Sequence, residues 1–457
     1  MKIIILGAGQ VGASLAQTLC LENHSITLID TNEQRLLDIQ ERLDVSTIAG
    51  HCTYPDVLRQ AGAENCDMII AVTNSDESNM VACQVAYSLF HIPKKIARIR
   101  SPHYFIRKEL FSNDNLPIDV FISPEQLVTH YVSQLIKYPG ALQVLDFAEG
   151  KLKLVAVKPY YGGVLLGKSV TKIDEFLPEA DSKIVALYRN DHSVELNHDT
   201  TIELGDEVFI LCKSETVSMT MSTLRKMEEP YKRIMIAGGG NIGALLAESL
   251  ADEYQVKLID HDRVSCERLS EKLNNVMILH GDSCDKNLLK NENIEYVDVF
   301  CAVTNDDEDN IMSCIQAKKL GVKQVMALIG RTAYVDLIEG GPINIAISPQ
   351  QSTIGSILAH IRRGDIVNVY SLRRGASEAI EVVAHGDRKT SKVVGRHIAD
   401  IKLPKEAIIG AIVRGDDVMM ANEDVVIESQ DHVVLFVAEK KYIKNVEKLF
   451  QVSASFF

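Results

Sequence analysis

The chain is written twice. Residues 3–19 read IIILGAGQVGASLAQTL and residues 234–250 read IMIAGGGNIGALLAESL, an offset of 231. Leu28-Ile29-Asp30 answers Leu258-Ile259-Asp260 at 230, and Ala71-Val72-Thr73-Asn74 answers Ala302-Val303-Thr304-Asn305 at 231 again. Asp76, Glu77 and Asn79 return as Asp307, Glu308 and Asn310, and Ser123-Pro124 returns as Ser348-Pro349. Order and spacing persist over more than a hundred residues, so whatever one half folds into, the other must fold into as well. The 457 residues are a tandem duplication of a unit of about 230.

Each unit has two parts. In the first repeat, apolar runs near 2–6, 26–29, 46–49, 67–72, 95–100 and 119–122 alternate with helical patterns such as 11–22, 32–43 and 75–90. That alternation predicts a parallel sheet with helices on both faces. A longer helix follows over 124–138, with Ser123 as N-cap, Pro124 in the first turn and Gln126 completing a capping box. Leu127, Tyr131 and Leu135 step by four along it, as do Val128, Val132 and Ile136, and Pro139-Gly140 stops it. The stripe is wide enough to pack on its own sheet, or to cross to a partner subunit or to the other repeat.

Beyond the helix the character changes. Short β-rich runs at 152–159, 183–188 and 207–211 lie among turns such as Tyr161-Gly162-Gly163 and Leu204-Gly205-Asp206, and 379–384, 407–413 and 432–437 repeat them. The fold class expected is α/β: two Rossmann-like, doubly wound parallel sheets, each followed by a small α+β module. The expected borders are 1–123, 124–142 and 143–227, then 232–348, 349–367 and 368–453, with a linker near Lys226–Pro230.

Composition removes several alternatives. Acids number 62 against 48 bases, a net charge of −14, which argues against nucleic-acid binding through bulk charge and against polybasic attachment to anionic lipid. No run approaches the ~20 apolar residues of a membrane-spanning helix. The N-terminal apolar run is too short for a secretory signal, so a cytosolic chain is expected. Nine cysteines without a CxxC pair read as reduced, mostly buried thiols, and no metal site is expected.

The functional signal sits at the strand ends. Gly7-x-Gly9-x-x-Gly12 follows a strand and opens a helix, and Gly238-x-Gly240-x-x-Gly243 does the same. One glycine fingerprint is weak; two in this setting, each with an acid about 20 residues on, point to dinucleotide binding. A diphosphate would sit on the helix N-terminal amides, with Gly7, Ala8, Gly9, Gln10 and Val11 in the first copy and Gly238, Gly239, Gly240, Asn241 and Ile242 in the second. Asp30 and Asp260 would accept from ribose hydroxyls and repel a 2′-phosphate, favouring NAD over NADP; the alternative is a helix N-cap. Thr73, Asn74, Thr304 and Asn305 stand at the carboxyl edge, either on the ligand or capping the next helix. The acids at 306–309 would hold a cation or start a solvated helix.

The copies differ where phosphate charge would be met. Arg98 and Arg100 fall on the fifth strand of the first repeat, where the second has Leu328 and Gly330. Arginine supplies a rigid fork for phosphate oxygens, so the first site should take a polyphosphate better; the alternative for Arg98 is a surface ion pair. After the third strand, Gly281-Asp282 stands opposite Gly50-His51, and Asp282 would approach the adenine end of a ligand.

With GAGQVG, LID, AVTN and IARIR, in a chain duplicated as a whole and carrying small trailing modules, the sequence resembles the RCK (KTN plus RCK-C) family in its doubled form. The resemblance covers nearly the whole chain. It implies a regulator and not a catalyst: NAD or NADH at the Rossmann domains, with ATP or ADP at the first site. It also implies a ring of RCK units, four doubled chains giving eight, seated on a membrane potassium channel or transporter subunit at the cytoplasmic face of the inner membrane. By position, Gly7 to Val11, Asp30, Thr73, Asn74 and Arg98 would form site one, and Gly238 to Ile242, Asp260, Thr304 and Asn305 site two. His51, Leu328 and Gly330 depart from the family pattern, so the sites need not hold one ligand equally. The helices at 124–138 and 349–363 are the candidate transmitters.

The competing class is an NAD-dependent oxidoreductase, which shares the fingerprint. It needs an acid or base facing the nicotinamide. His24, His103, His130, His192 and His280 share no motif and read as surface or satisfied core residues.

Overall fold

Runs such as Ile3-Ile4-Ile5-Leu6 are buried on both sides, a pattern that a parallel sheet covered by helices accommodates. The structure, a computed structural model, describes all residues except 106, 179–180, 339–340, 363–364, 373–376, 406 and 453–457. Residues 363–364 of the second long helix, and 373–376, 406 and 453 of the last expected module, therefore lie outside the described residues. The chain divides into two compact units, Met1–Val128 with Ser348–Ile357, and Thr129–Ile347 with Leu358–Phe457.

The first unit holds strands β1 (Lys2–Leu6), β2 (Ser25–Asp30), β3 (Ser46–Ala49), β4 (Met68–Ala71), β5 (Lys94–Arg98) and β6 (Val120–Ile122). They pair in parallel in the order β3-β2-β1-β4-β5-β6. Helices α1 (Gln10–Leu21), α2 (Glu33–Gln40), α3 (Pro55–Gln60), α4 (Asp76–Phe90) and α5 (Pro102–Phe105) connect them, and α6 (Pro124–Lys137) leaves the sheet. The order reverses between β1 and β4, which places a crevice at their carboxyl ends. Ser123 Oγ accepts the Gln126 N–H at 3.3 Å at the start of α6.

In the second unit, module strands β7 (Ala141–Phe147), β8 (Leu152–Val157), β9 (Ser182–Arg189), β10 (His192–Val194) and β11 (Glu207–Lys213) form an antiparallel sheet with short helices α7 (Ile173–Phe176) and α8 (Val217–Ser222). The second Rossmann copy then runs β12 (Arg233–Ala237), α9 (Asn241–Leu250), β13 (Gln255–Asp260), α10 (Arg263–Lys272), β14 (Val276–His280), α11 (Lys286–Asn291) and β15 (Val299–Ala302). It closes with α12 (Asp307–Lys319), β16 (Gln324–Leu328), α13 (Thr332–Ile338), β17 (Ile345–Ile347) and α14 (Pro349–Ile361). Its sheet order, β14-β13-β12-β15-β16-β17, repeats the first sheet. The last module has β18 (Asp365–Leu372), β19 (Ser377–Val383), β20 (Ala407–Arg414), β21 (Asp417–Met420), β22 (His432–Val437) and α15 (Ile443–Phe450).

The two modules share one core. Phe147, Leu154, Tyr188 and Phe209 of the first pack with Leu372, Ala411, Val434 and Phe436 of the second. Gly410 sits where a Cβ would stand 2.2 Å from Leu211, so its missing side chain permits the close approach. The Tyr188 hydroxyl donates to Ser377 at 2.7 Å, and the Tyr370 hydroxyl to the Asp146 carbonyl at 2.9 Å. Arg189 on Asp206 is matched by Arg414 on Asp431, both at 2.8 Å and with both aspartates fully buried. The opening strands β7 and β18 lie outside the runs that the sequence marks as β-rich. A register shift between Ala141 and Gln143, and another between Ile366 and Asn368, breaks the alternation that marks a strand.

Gly12 and Gly243 are fixed by sterics. A Cβ at Gly12 would lie 1.9 Å from the Gly7 oxygen, and one at Gly243 1.8 Å from the Gly238 oxygen. Gly12→Ala should therefore destabilise the first unit by about 1–3 kcal/mol, as overpacking does, and spread the glycine turn. Thermal unfolding of the full-length variant checks this; an unchanged midpoint would contradict it.

Candidate functional site

The crevice of the first sheet is a cleft of about 590 Å³ lined by Gly7, Gly9, Gln10, Asp30, Thr73, Asn74 and Arg98, among others. Gly7 adopts a left-handed φ of +101° and donates to the Ile29 carbonyl at 2.8 Å, which turns the chain sharply out of β1. Gly9 precedes α1 with no side-chain cap, and a Cβ there would meet nothing within 4 Å. Gly240 repeats both features before α9. Both helices thus begin with open space over N–H groups that no side chain satisfies, the arrangement that suits a bound diphosphate.

Asp30 is not the helix cap. Asn32 caps α2 by accepting the Arg35 N–H at 3.0 Å. Asp30 instead ties two loops together: Oδ2 accepts the Ala8 N–H at 2.6 Å and Oδ1 the Asn32 N–H at 2.8 Å. Asp260 does the same for the Gly239 and Asp262 N–H groups, and Asp262 caps α10. Each carboxylate oxygen keeps a further acceptor site for a ribose hydroxyl.

Thr73 and Thr304 do not cap the following helices either; Ser75 and Asp306 do. Each threonine is held by an asparagine, Asn79 or Asn310, whose recurrence the sequence shows but whose role it does not. Asn79 Oδ1 accepts the Thr73 N–H at 3.0 Å and its hydroxyl at 2.7 Å, while its Nδ2 donates to the Arg98 carbonyl at 2.8 Å. Asn310 makes the same bonds to Thr304 and the Leu328 carbonyl. Both asparagines are fully buried. Their signal was a polar residue kept in both copies inside an apolar helix face. Asn74 lines the first cleft beside Thr73; Asn305 follows Thr304 at the matching sequence position of the second copy.

The arginines divide. Arg98 ends β5 and enters the cleft, where Nη2 donates to the Thr73 carbonyl. Its Nε is buried with no hydrogen-bond partner among the described residues, and it forms no surface ion pair there. Burial, reinforced by the like charge of Arg100, pushes the Arg98 guanidinium pKa down. An orphaned donor on a desolvated cation fits an anionic ligand. Arg100, expected on the strand, lies beyond it. β6 is only three residues long and pairing ends at Arg98, so the Arg100 and Ser101 N–H groups turn to the Asp76 carboxylate at 2.9 and 2.8 Å. The Arg100 side chain stands 3.8 Å from Glu125 at the start of α6. Burial pushes the Glu125 carboxyl pKa up.

The second copy lacks this cation. Leu328 is buried at the end of β16, and Asp307 holds the Gly330 and Arg331 N–H groups at 2.8 and 2.9 Å. Arg331 turns to Glu308 at 3.0 Å. Asp306, Asp307 and Glu308 are thus engaged as a cap, a turn tether and an ion pair. Asp282 accepts the Cys284 N–H at 2.8 Å and shapes its own turn. His51 lines the first cleft, with Nδ1 2.8 Å from the Thr53 hydroxyl and its ring stacked on Tyr54. Cys52 also lines it, its thiol pKa pushed up to about 11 by burial. Of the other histidines, His130 bonds Asp146 at 2.6 Å, His192 the Asn190 carbonyl at 2.7 Å and His280 the His261 carbonyl at 3.1 Å.

Two family models match the chain, each of them twice: the TrkA-N domain over residues 3–124 and 234–349, and the TrkA-C domain over 154–225 and 388–451. The Trk system potassium uptake protein TrkA of Halomonas elongata is 55% identical over 457 residues, covering all of both chains. That of Vibrio alginolyticus is 55% identical and that of Haemophilus influenzae 49%, again over the full length of both. Among solved structures, the GsuK RCK domain matches with a TM-score of 0.61 at 18% identity, covering 98% of this chain and 94% of that one. The GsuK channel bound to NAD matches at 0.60 and 18%, covering 98% and 78%.

Proposed function

The chain belongs to the TrkA family, regulatory nucleotide-binding subunits of potassium transport, and on that premise we propose that the two glycine crevices hold adenine nucleotides of different kinds. NAD or NADH is the ligand both copies suit. The α1 and α9 amides would take the diphosphate, and Asp30 and Asp260 the ribose hydroxyls. Thr73, Asn74, Thr304 and Asn305 would line the far side. ATP or ADP belongs to the first site, where Arg98 would meet the outer phosphates; Arg100, expected beside it, stands outside the cleft against Glu125. The single observation that carries this asymmetry is the buried, partnerless Nε of Arg98, opposite which the second copy has Leu328.

The nucleotide acts as an effector here and not as a redox partner. It can move a channel only by its differential affinity for two states of the assembly. The partner would be a TrkH/TrkG-like membrane potassium subunit, and four chains would supply the eight RCK units of a ring. Membrane attachment would come through that partner at the cytoplasmic face, since among the described residues no helix is long and apolar enough to cross a membrane. Nucleic acid is no partner for a chain of charge −14.

Arg98→Met tests the asymmetry. Losing one charge-assisted contact should weaken ATP about tenfold or more while weakening NADH less. Calorimetric titration of each nucleotide into the full chain reads the ratio. Equal losses for both ligands, or none, would remove the polyphosphate assignment from site one.

A further inference from the structure

The first compact unit includes the opening of a helix from the other repeat: residues Ser348–Ile357 group with Met1–Val128. Gln350, in the first turn of α14, extends its amide to α1. Its Nε2 donates to the Gln10 carbonyl at 3.2 Å and to the Ser14 hydroxyl oxygen. Gln10 and Ser14 are one helical turn apart on one face, and Gln10 also lines the first cleft. The turn whose free N–H groups face the cleft is therefore fastened, through its carbonyl and hydroxyl, to the opening turn of α14 within the same unit.

The repeats diverge at this position. Ser123-Pro124-Glu125 opens α6, and Ser348-Pro349-Gln350 opens α14. Glu125 faces Arg100 of its own repeat. A carboxylate cannot donate to a helix carbonyl; an amide can. Position 350 thus carries the side chain that can hold α1.

We propose that Gln350 is a positioning residue for site one, coupling nucleotide on the first turn of α1 to the opening turn of α14. The inference rests on the reading of site one as a nucleotide site. A diphosphate on the α1 amides and an amide donor on the Gln10 carbonyl polarise the same turn in the same sense, so each strengthens the other. Linkage makes the effect reciprocal: what loosens Gln350 weakens nucleotide, and nucleotide steadies α14.

The test uses full-length chain with ATP as the probe, because Arg98, the cation that suits it, lines site one and is replaced by Leu328 in the second copy. ATP affinity is measured for wild type, Gln350→Ala, Ser14→Ala and the double variant, alongside amide exchange of residues 349–357 with and without ATP. Each single change should weaken ATP about three- to tenfold, and the double should be no worse than the larger single. ATP should protect 349–357 in wild type and not in the variants. Gln350→Glu, which keeps the shape and loses the donor, should behave like Gln350→Ala. Wild-type affinity in Gln350→Glu, fully additive singles, or ATP protection of 349–357 that persists in Gln350→Ala would each overturn the proposal. Failure of wild type to bind ATP at all would instead remove the site-one reading, and this inference with it.

Discussion

Asp30→Lys should cost the first site about a hundredfold or more in affinity for NADH. Three losses combine. The ribose hydroxyls lose a charged acceptor, worth about 1.5–3 kcal/mol. The Ala8 and Asn32 N–H groups lose the carboxylate that ties the glycine turn to the start of α2. An ammonium also stands where the helix N-terminus of α1 is already positive. The glycine loop should loosen as well, so Asp30→Asn, which keeps one acceptor, is the milder companion and should fall between wild type and lysine. The change should also favour NADPH relative to NADH, since a cation replaces the anion that would repel a 2′-phosphate. Titration of both cofactors measures this; unchanged NADH affinity in Asp30→Lys would remove the residue from the site.

Glu378→Leu should be the most destabilising single change in the second unit, by about 3–5 kcal/mol. Glu378 on β19 and Arg362, just beyond α14, have side chains 1% and 0% exposed and form a two-pronged ion pair, Nη2 to Oε1 at 3.2 Å with Nη1 on Oε2. Glu447 and Lys440 stand 3.8 and 3.9 Å away. Removing the carboxylate leaves a guanidinium buried beside an apolar side chain. Replacing both partners, Arg362→Met with Glu378→Leu, should recover part of the loss, because the buried guanidinium leaves with its carboxylate and only the more exposed Glu447 and Lys440 lose a contact. Chemical unfolding followed by a probe in the second unit separates this transition from the first unit's, since a chain of several units need not melt as one. A single variant within 1 kcal/mol of wild type would contradict the reading.

The duplication made much of this legible. Because the glycine turns, the aspartates and the Thr-Asn pairs recur at fixed spacing, the parallel sheets and the crevice residues could be placed from the chain alone. What escaped were features without period or motif. β7 and β18 carry bulges that hide their alternation. Asn79 and Asn310 sit inside helices, where a buried amide looks like an ordinary polar residue until its four bonds are seen. Arg100 followed an apolar run that extends past the true end of β5, because pairing is limited by the three residues of β6 and not by hydrophobicity. The caps at Asn32, Ser75 and Asp306 fall two residues beyond Asp30, Thr73 and Thr304, a distinction of geometry and not of residue type. Gln350 could not be foreseen, since its partners lie 336 and 340 residues away in sequence.

The central claim is that nucleotide on the first site governs potassium uptake. Rubidium tracer uptake in potassium-starved cells lacking the gene, restored with wild-type or Asp30→Lys copies expressed at equal levels, tests it most directly. Wild type should restore uptake and Asp30→Lys should not. Equal rescue by an Asp30→Lys protein that no longer binds nucleotide at the first site would contradict the account.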